Sequence, residues 1–292
     1  MSRLDHDANI RPWLQAAGAV GATVRSIDFD RQTTELTPAD VARVVSSRTR
    51  LVAVTAGSNL LGTRPDMAQI AALVHDAGAL LYVDGVHLTP HAPIDVAALG
   101  ADFYVCSPYK FLGPHCGVLA AAPELLETLH PDKLLPSTDN VPERFELGTL
   151  PYELLAGTTA AVDFLAGLSP GQEPSRRDQV VASMTVIEAY EDEVRDQVEA
   201  RLYALERVTL HGHAAQRTPT LLFSITGVTP AAVTAALADE GINAPSGNFY
   251  ALEPSRWLGL DDGGAVRIGI APYTDQSDVD RLIAGVEQLA TA

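Results

Sequence analysis

The chain has 292 residues, 47% of them hydrophobic, enough to bury a sizeable core in one large domain or two smaller ones. Its 37 acidic residues against 20 basic ones give a formal charge of −17, which disfavours a nucleic-acid partner, since phosphate binding draws on clustered Lys and Arg. Two cysteines, Cys106 and Cys116, are too few for a disulfide framework, the charged start MSRLDHDANIRPW lacks a signal-type apolar region, and no apolar run approaches the roughly 20 residues of a membrane span, so a cytoplasmic protein without a membrane partner is expected.

In chain order, Ala22–Phe29 (ATVRSIDF) predicts a strand and Pro38–Ser46 a helix. Arg50–Thr55 (RLVAVT) is continuously apolar and predicts a strand buried on both faces. Met67, Ile70, Leu73, Val74 and Ala77 recur at helical spacing. Ala79–Val83, Phe103–Cys106 and Gly117–Ala120 supply further strands. Strands alternating with helices imply an α/β fold whose mainly parallel sheet is flanked by helices. A helix over Pro151–Leu168 leads into SPGQEPSRRD, a turn-forming, charged stretch that reads as a linker. Residues 1–168 are therefore expected as a large domain and 169–292 as a smaller α+β domain. The latter begins with a long helix whose apolar face carries Val180, Met184, Ile187, Tyr190, Val194, Val198 and Leu202. Strands at Thr220–Ile225 and Ala265–Ile270 and helices at Pro230–Ala238 and around Val279–Leu289 complete it.

Lysine is nearly absent: Lys110 and Lys133 stand beside 18 arginines. Lysine can lose its proton and attack a carbonyl, whereas arginine cannot. Lys110 follows the strand FYVCS in an apolar setting that lowers an ammonium pKa, although a lysine that merely caps a strand end fits the count equally well. Asp84 ends the run ALLYVD, where a carboxylate leaving a buried strand needs a partner or a task. An Asp and a Lys at neighbouring strand ends would face one ligand in the crevice of an α/β sheet. That pair suits pyridoxal phosphate (PLP), whose pyridine nitrogen requires a carboxylate and whose aldehyde requires an amine; taken alone, the pair also fits a structural role.

The blocks LDHDANIRPW, TAGSNLLGT, VDGVHLTPH, DFYVCSPYKFLGPHCGVL and RFELGTL, in this order and spacing, resemble the class V aminotransferase family, its cysteine-desulfurase-like branch in particular. The resemblance is strong from Leu4 to Leu168 and weaker beyond. It implies a PLP enzyme of the transferase or lyase type in which Lys110 forms the Schiff base and Asp84 pairs with the ring nitrogen. His6 would stack on the ring, and Asn59 and His87 would flank its phenolic oxygen, Asn59 also near the substrate. Ser107 would bind the phosphate, and Tyr109 fills a position where relatives often have a phosphate-binding His. Thr149 would reach the phosphate of a neighbouring subunit, which implies a homodimer. Arg267, in AVRIGIAPY, would clamp the carboxylate of an amino-acid substrate. No metal is expected: His87 and His91 have i,i+4 spacing, but a proline intervenes and no third ligand stands out.

Two departures from the family pattern qualify the resemblance. Relatives carry roughly a hundred residues ahead of the DHDAN block, including a phosphate-gripping turn at a helix N-terminus. An N-terminally truncated large domain is expected here, or one holding phosphate by Ser107 and Thr149 with less help. Desulfurases also carry a nucleophilic Cys in a loop where this chain has APSGNFYALEP, with Tyr250 at the aligned place. Cys106 and Cys116 read as buried small hydrophobes, so sulfur transfer by the usual route is not expected. The alternative to an enzyme is a non-catalytic relic or interaction protein that keeps the fold without a working site.

Overall fold

In the computed structural model, which describes residues 1–169, 171 and 173–291, two helices, α1 (Arg11–Ala19) and α2 (Pro38–Ala42), precede the first sheet. That sheet contains β1 (Leu51–Thr55), β2 (Leu80–Asp84), β3 (Phe103–Cys106) and β4 (Val118–Ala121), side by side in that order. α3 (Met67–Asp76) connects β1 to β2, and α4 (Val96–Leu99) connects β2 to β3. β1, β2 and β3 run parallel, with Thr55 paired to Asp84 and Asp84 to Val105, so their carboxyl ends come level. β4 returns antiparallel at the edge. This is the expected α/β architecture with a mixed, mainly parallel sheet.

The local causes are plain in the sequence. β1 is buried along almost its whole length because helices and loops cover both faces of the sheet. α3 starts where the Asp66 side chain accepts from the Gln69 N–H at 3.0 Å, and it turns Met67, Ile70, Ala71 and Val74 into the core. It closes on Gly78 at φ 73°, a conformation that suits glycine.

Two expectations fail near the start. Ala22–Phe29 forms no strand: only Ile27 bridges, to Ser2, because the short Met1–Arg3 stretch is its one neighbour and a strand needs a continuous partner. The helix expected to reach Ser46 ends at Ala42, after a Thr37–Asp40 capping box has begun it, and β-branched Val44 and Val45 leave in turns closed on the Val41 carbonyl.

After α5 (Pro123–Glu127) and α6 (Tyr152–Ala166), the long α7 (Arg176–Tyr203) leads into the second sheet. Of the linker expected over 169–178, Pro170 and Gln172 lie outside the described residues. The second sheet contains β5 (Val208–Leu210), β6 (Thr220–Ile225), β7 (Ser246–Gly247) and β8 (Ala265–Gly269), antiparallel in the order β5-β6-β8-β7. α8 (Pro230–Asp239) and α10 (Gln276–Thr291) pack on it, and α9 (Leu252–Trp257) lies between β7 and β8. α7 buries Met184, Ile187, Val194, Val198 and Leu202 as expected, but Tyr190 is exposed and Glu191 takes the inward place beside it.

The two cores interlock. The apolar cluster around β1 and β2 also takes in Leu222, Ala251 and Ala265 from the second half of the chain. A smaller cluster of Phe111, Leu165, Met184 and Ile187 ties the turn after β3 to α6 and α7.

Gly85, just past β2, is boxed in. A Cβ there would collide with the Tyr104 ring, whose hydroxyl is held 2.9 Å from Thr89 Oγ1, which in turn donates to the Gly85 carbonyl at 2.7 Å. Gly85→Ala should therefore destabilise the fold by about 1–3 kcal/mol, read as a lower urea midpoint with unchanged slope. An unshifted midpoint would contradict this packing.

Candidate active site

The carboxyl ends of β2 and β3 bring the central pair together. Asp84 is the last residue of β2, only 8% exposed, and its Oδ1 accepts from the Val86 N–H at 2.9 Å. Lys110 lies on a 3-10 turn, Pro108–Phe111, that follows β3 and is half-buried. Burial lowers the Lys110 ammonium, opposed by attraction to Asp84 and assisted by repulsion from Arg267. Burial raises the Asp84 carboxyl, opposed by the Val86 N–H and by Lys110. The two groups thus sense each other across a partly dry crevice, as their positions at adjacent strand ends predict.

The remaining candidates arrive from four directions. His6 precedes the short Asp7–Asn9 turn, and its Nδ1 accepts from the Ala8 N–H at 3.1 Å. Burial lowers its pKa, and both Lys110 and Arg267 add to that. Asn59, 7% exposed, donates from Nδ2 to the Phe249 carbonyl at 2.9 Å, while its Oδ1 is buried without a partner. His87 is held through Nε2 by the hydroxyls of Thr218 and Thr220 at 2.9 and 3.1 Å. Burial keeps it well below its ordinary pKa, with His91, Lys110 and Arg267 adding in the same direction. Arg267 in β8 stacks its guanidinium 3.9 Å from the Phe249 ring centroid and donates to the Asn59 carbonyl at 2.8 Å. It makes no ion pair with any described residue and sits in surroundings dry enough to lower even a guanidinium pKa. A half-buried, acid-free guanidinium is a natural anion site.

Ser107, Tyr109 and Thr149 are placed differently. Ser107 is half-buried at the head of the Lys110 turn, and its carbonyl accepts the Lys110 N–H at 3.0 Å. Tyr109 is exposed and stacks face to face on His115, 5.0 Å between centroids. Thr149 is exposed and makes no hydrogen bond to the other candidates among the described residues. The thiols also depart from the expected picture of two buried hydrophobes. Both are only half-buried; burial still pushes Cys106 up to about 11, while Cys116 lies ahead of β4 with Sγ 3.5 Å from Thr158 Oγ1.

The loop bearing Tyr250 is pinned rather than loose. Phe249 and Tyr250 both take left-handed backbone, φ 53° and 60°, which costs non-glycine residues about 1–3 kcal/mol each. Asn59 holds the Phe249 carbonyl, the Asp7 N–H donates to the Tyr250 carbonyl at 2.7 Å, and the Tyr250 N–H donates to Asn248 Oδ1 at 3.0 Å. The Tyr250 side chain itself is exposed, 5.6 Å from the His6 ring.

Comparison with known proteins identifies the family and the fold. The sequence model of the family described as aminotransferase class-V matches residues 1–282. The uncharacterized protein MT3887 of Mycobacterium tuberculosis is 34% identical over 291 residues, spanning 99% of this chain and 72% of its own length. A cysteine desulfurase of Klebsiella pneumoniae is 32% identical over 302 residues, with 99% and 70% covered. The crystal structure of the Escherichia coli cysteine desulfurase CsdA matches with a TM-score of 0.85 at 29% identity, over 99% of this chain and 71% of that one. An apo cysteine desulfurase from Thermococcus onnurineus matches at 0.87 and 25% identity, over 99% and 72%.

One ionisable residue of the site was not singled out in the sequence, although it lies inside the LDHDAN block. Asp5 is fully buried between Ser2 Oγ and Asn9 Nδ2, the latter 2.6 Å away. Burial raises its carboxyl to about 7, opposed by those two hydrogen bonds and aided by the charge of Asp84. A carboxyl with a raised folded-state pKa stabilises the protein most at acid pH and loses that contribution as pH climbs from about 4 to about 7. Asp5→Asn should therefore gain stability over the native protein across that window and hold the gain, without further increase, above it. Parallel denaturant titrations from pH 4 to 8 measure the difference, and a pH-independent difference would contradict the assignment.

Proposed function

The chain belongs to the aminotransferase class-V family of PLP enzymes, and from that premise we propose that it binds PLP through Lys110 and acts on an amino-acid substrate. The observation that carries the reading is the confluence of Lys110, buried Asp84 and acid-free Arg267 at the carboxyl ends of the parallel strands. The residues present fit the cofactor: one partly dry amine, one buried carboxylate facing it, and a buried amide oxygen of Asn59 left without a partner. Once bound, PLP supplies the electron sink that lets a bond at the substrate α-carbon break heterolytically.

The residues divide the remaining work. Lys110 Nζ would hold the cofactor and, when free, would give and take a proton at the substrate α-carbon; its lowered pKa suits both tasks. Asp84 would partner the ring nitrogen, and His6 would lie against the ring. Neutral His87 and Asn59 would hold the phenolic oxygen, and Ser107 and Tyr109 the phosphate. Arg267, held flat by Phe249, orients the substrate carboxylate. Residues 1–168 form the cofactor-binding unit and 169–292 the smaller one. Exposed Thr149, flanked by exposed Leu147 and Tyr152, serves a partner copy in a homodimer. The free thiols and this soluble type of enzyme suit the cytoplasm.

Sulfur transfer is outside this chemistry. It needs a mobile thiolate, whereas the corresponding loop carries a phenol, Tyr250, on a backbone tied at three points. Cys106 is held as a thiol by burial within β3.

Two results follow. Protein reconstituted with PLP should be yellow, with a visible band that borohydride removes; Lys110→Arg should lose the band while keeping its circular dichroism and melting temperature. A borohydride-sensitive band in Lys110→Arg would refute the assignment, and its absence from the native protein would favour a non-catalytic relic. Given cysteine, the holoprotein should release no sulfide above the free-PLP background and show no persulfide by mass spectrometry. A persulfide on Cys116, lost with turnover in Cys116→Ser, would overturn the exclusion.

A further inference from the structure

Glu191 is a carboxylate with no exposed surface, carried by α7 into the packed side of the cofactor crevice. Its Oε2 lies 2.9 Å from His91 Nδ1, and its Oε1 has no partner. A buried carboxylate held by a single imidazole is costly, and helix packing alone gives no reason for it. His91 closes the turn that starts at Asp84, and its ring meets His87 edge-on, 5.2 Å between centroids. On its other side, His87 shares Nε2 with the hydroxyls of Thr218 and Thr220. Thr218 Oγ1 also donates to the Gly62 carbonyl and to Thr220 Oγ1, but both contacts are long at 3.4 Å, so the two threonines constrain the proton on His87 only weakly. The ring in edge contact with His87 is that of His91, whose Nδ1 is already committed to Glu191.

We propose that Glu191 and His91 are positioning residues that set the orientation and proton placement of His87, linking α7 to the cofactor crevice through two imidazoles. The functional consequence rests on the PLP reading above; the link between the three side chains does not. Charged groups around the pair are accounted for. Glu188 and Asp192, its acidic neighbours on α7, are held by Arg64 and Arg195 at 2.5 and 2.6 Å, and Lys110 and Arg267 face His87 from the crevice. Burial raises the Glu191 carboxyl and His91 opposes that, so the imidazole is what keeps the carboxylate in use. The arrangement resembles the carboxylate–imidazole pairs that orient catalytic or metal-binding histidines, here one residue further removed.

Glu191→Gln preserves shape and removes the charge. Imidazole nitrogen NMR of the full chain, with and without PLP, reads the result. His91 should lose its preference for a proton on Nδ1, because the carboxylate that accepts it there is gone. The His87 tautomer pattern should change with it. In the PLP-loaded protein, the pH midpoint of the visible band should fall by about half a unit or more, an acid constant about threefold larger, because negative charge behind a cationic site is removed. His91→Gln should reproduce that shift, and the double variant should add nothing, as expected for residues acting in series. Glu188→Gln, one turn away on the same helix, should move neither quantity. A folded Glu191→Gln protein with unchanged His87 signals and midpoint overturns the inference; should that variant not fold, His91→Gln decides by the same readouts. If the native protein takes up no PLP, the cofactor reading fails, and the His87 signals of the ligand-free chain still decide the link.

Discussion

A carboxylate at the end of a buried strand has to be answered by its surroundings, and the architecture is arranged around that demand at Asp84. The parallel register of β1, β2 and β3 brings three strand ends level, so the turns that follow them meet in one crevice. The turn after β3 delivers Lys110, one of only two lysines, into range of Asp84. The turn after β2 folds back as Gly85–His91 and needs a glycine at its start because the Tyr104 ring occupies the space of a side chain. Each of these features follows from closing a dry site over one acidic group while leaving a cation opposite it.

The second half of the chain completes the crevice from the opposite wall. β8 presents Arg267, and the β7–α9 loop presses Phe249 against its guanidinium and offers carbonyls to Asn59 and Asp7. Two consecutive left-handed residues in that loop are held by hydrogen bonds to residues from the first half. Strain of this kind persists only where the surroundings over-determine it. The cost goes into rigidity of the loop between β7 and α9.

Much of this was legible in the sequence because the signals were local. Continuous apolar runs marked β1, β2 and β3 within a residue, and helical spacing marked the existence of α3, α7 and α10. Lys110 and Asp84 stood out because their chemistry is rare in their setting, and the ordered blocks assigned the rest. What escaped depends on partners distant in sequence. Tyr190 read as part of the apolar face of α7, and nothing local shows that His91, a hundred residues away, pairs with Glu191 on the inward side while Tyr190 turns out. Asp5 lay in a recognised block, but its burial comes from Ser2 and Asn9 closing over it. Ala22–Phe29 had strand composition and lacked a neighbouring strand, which composition does not report. Thr149 is exposed and makes no hydrogen bond to the other candidates among the described residues, and Tyr109, though exposed, stacks on His115 beside Lys110.

The central claim is that Lys110, and no other amine, holds the cofactor. The direct measurement is borohydride reduction of the PLP-loaded protein followed by peptide mass mapping. The account predicts a reduced pyridoxyl group, near one per chain, on the peptide containing Lys110. Label confined to Lys133, which pairs with Asp139 at 3.1 Å, or to the Met1 amine would contradict it.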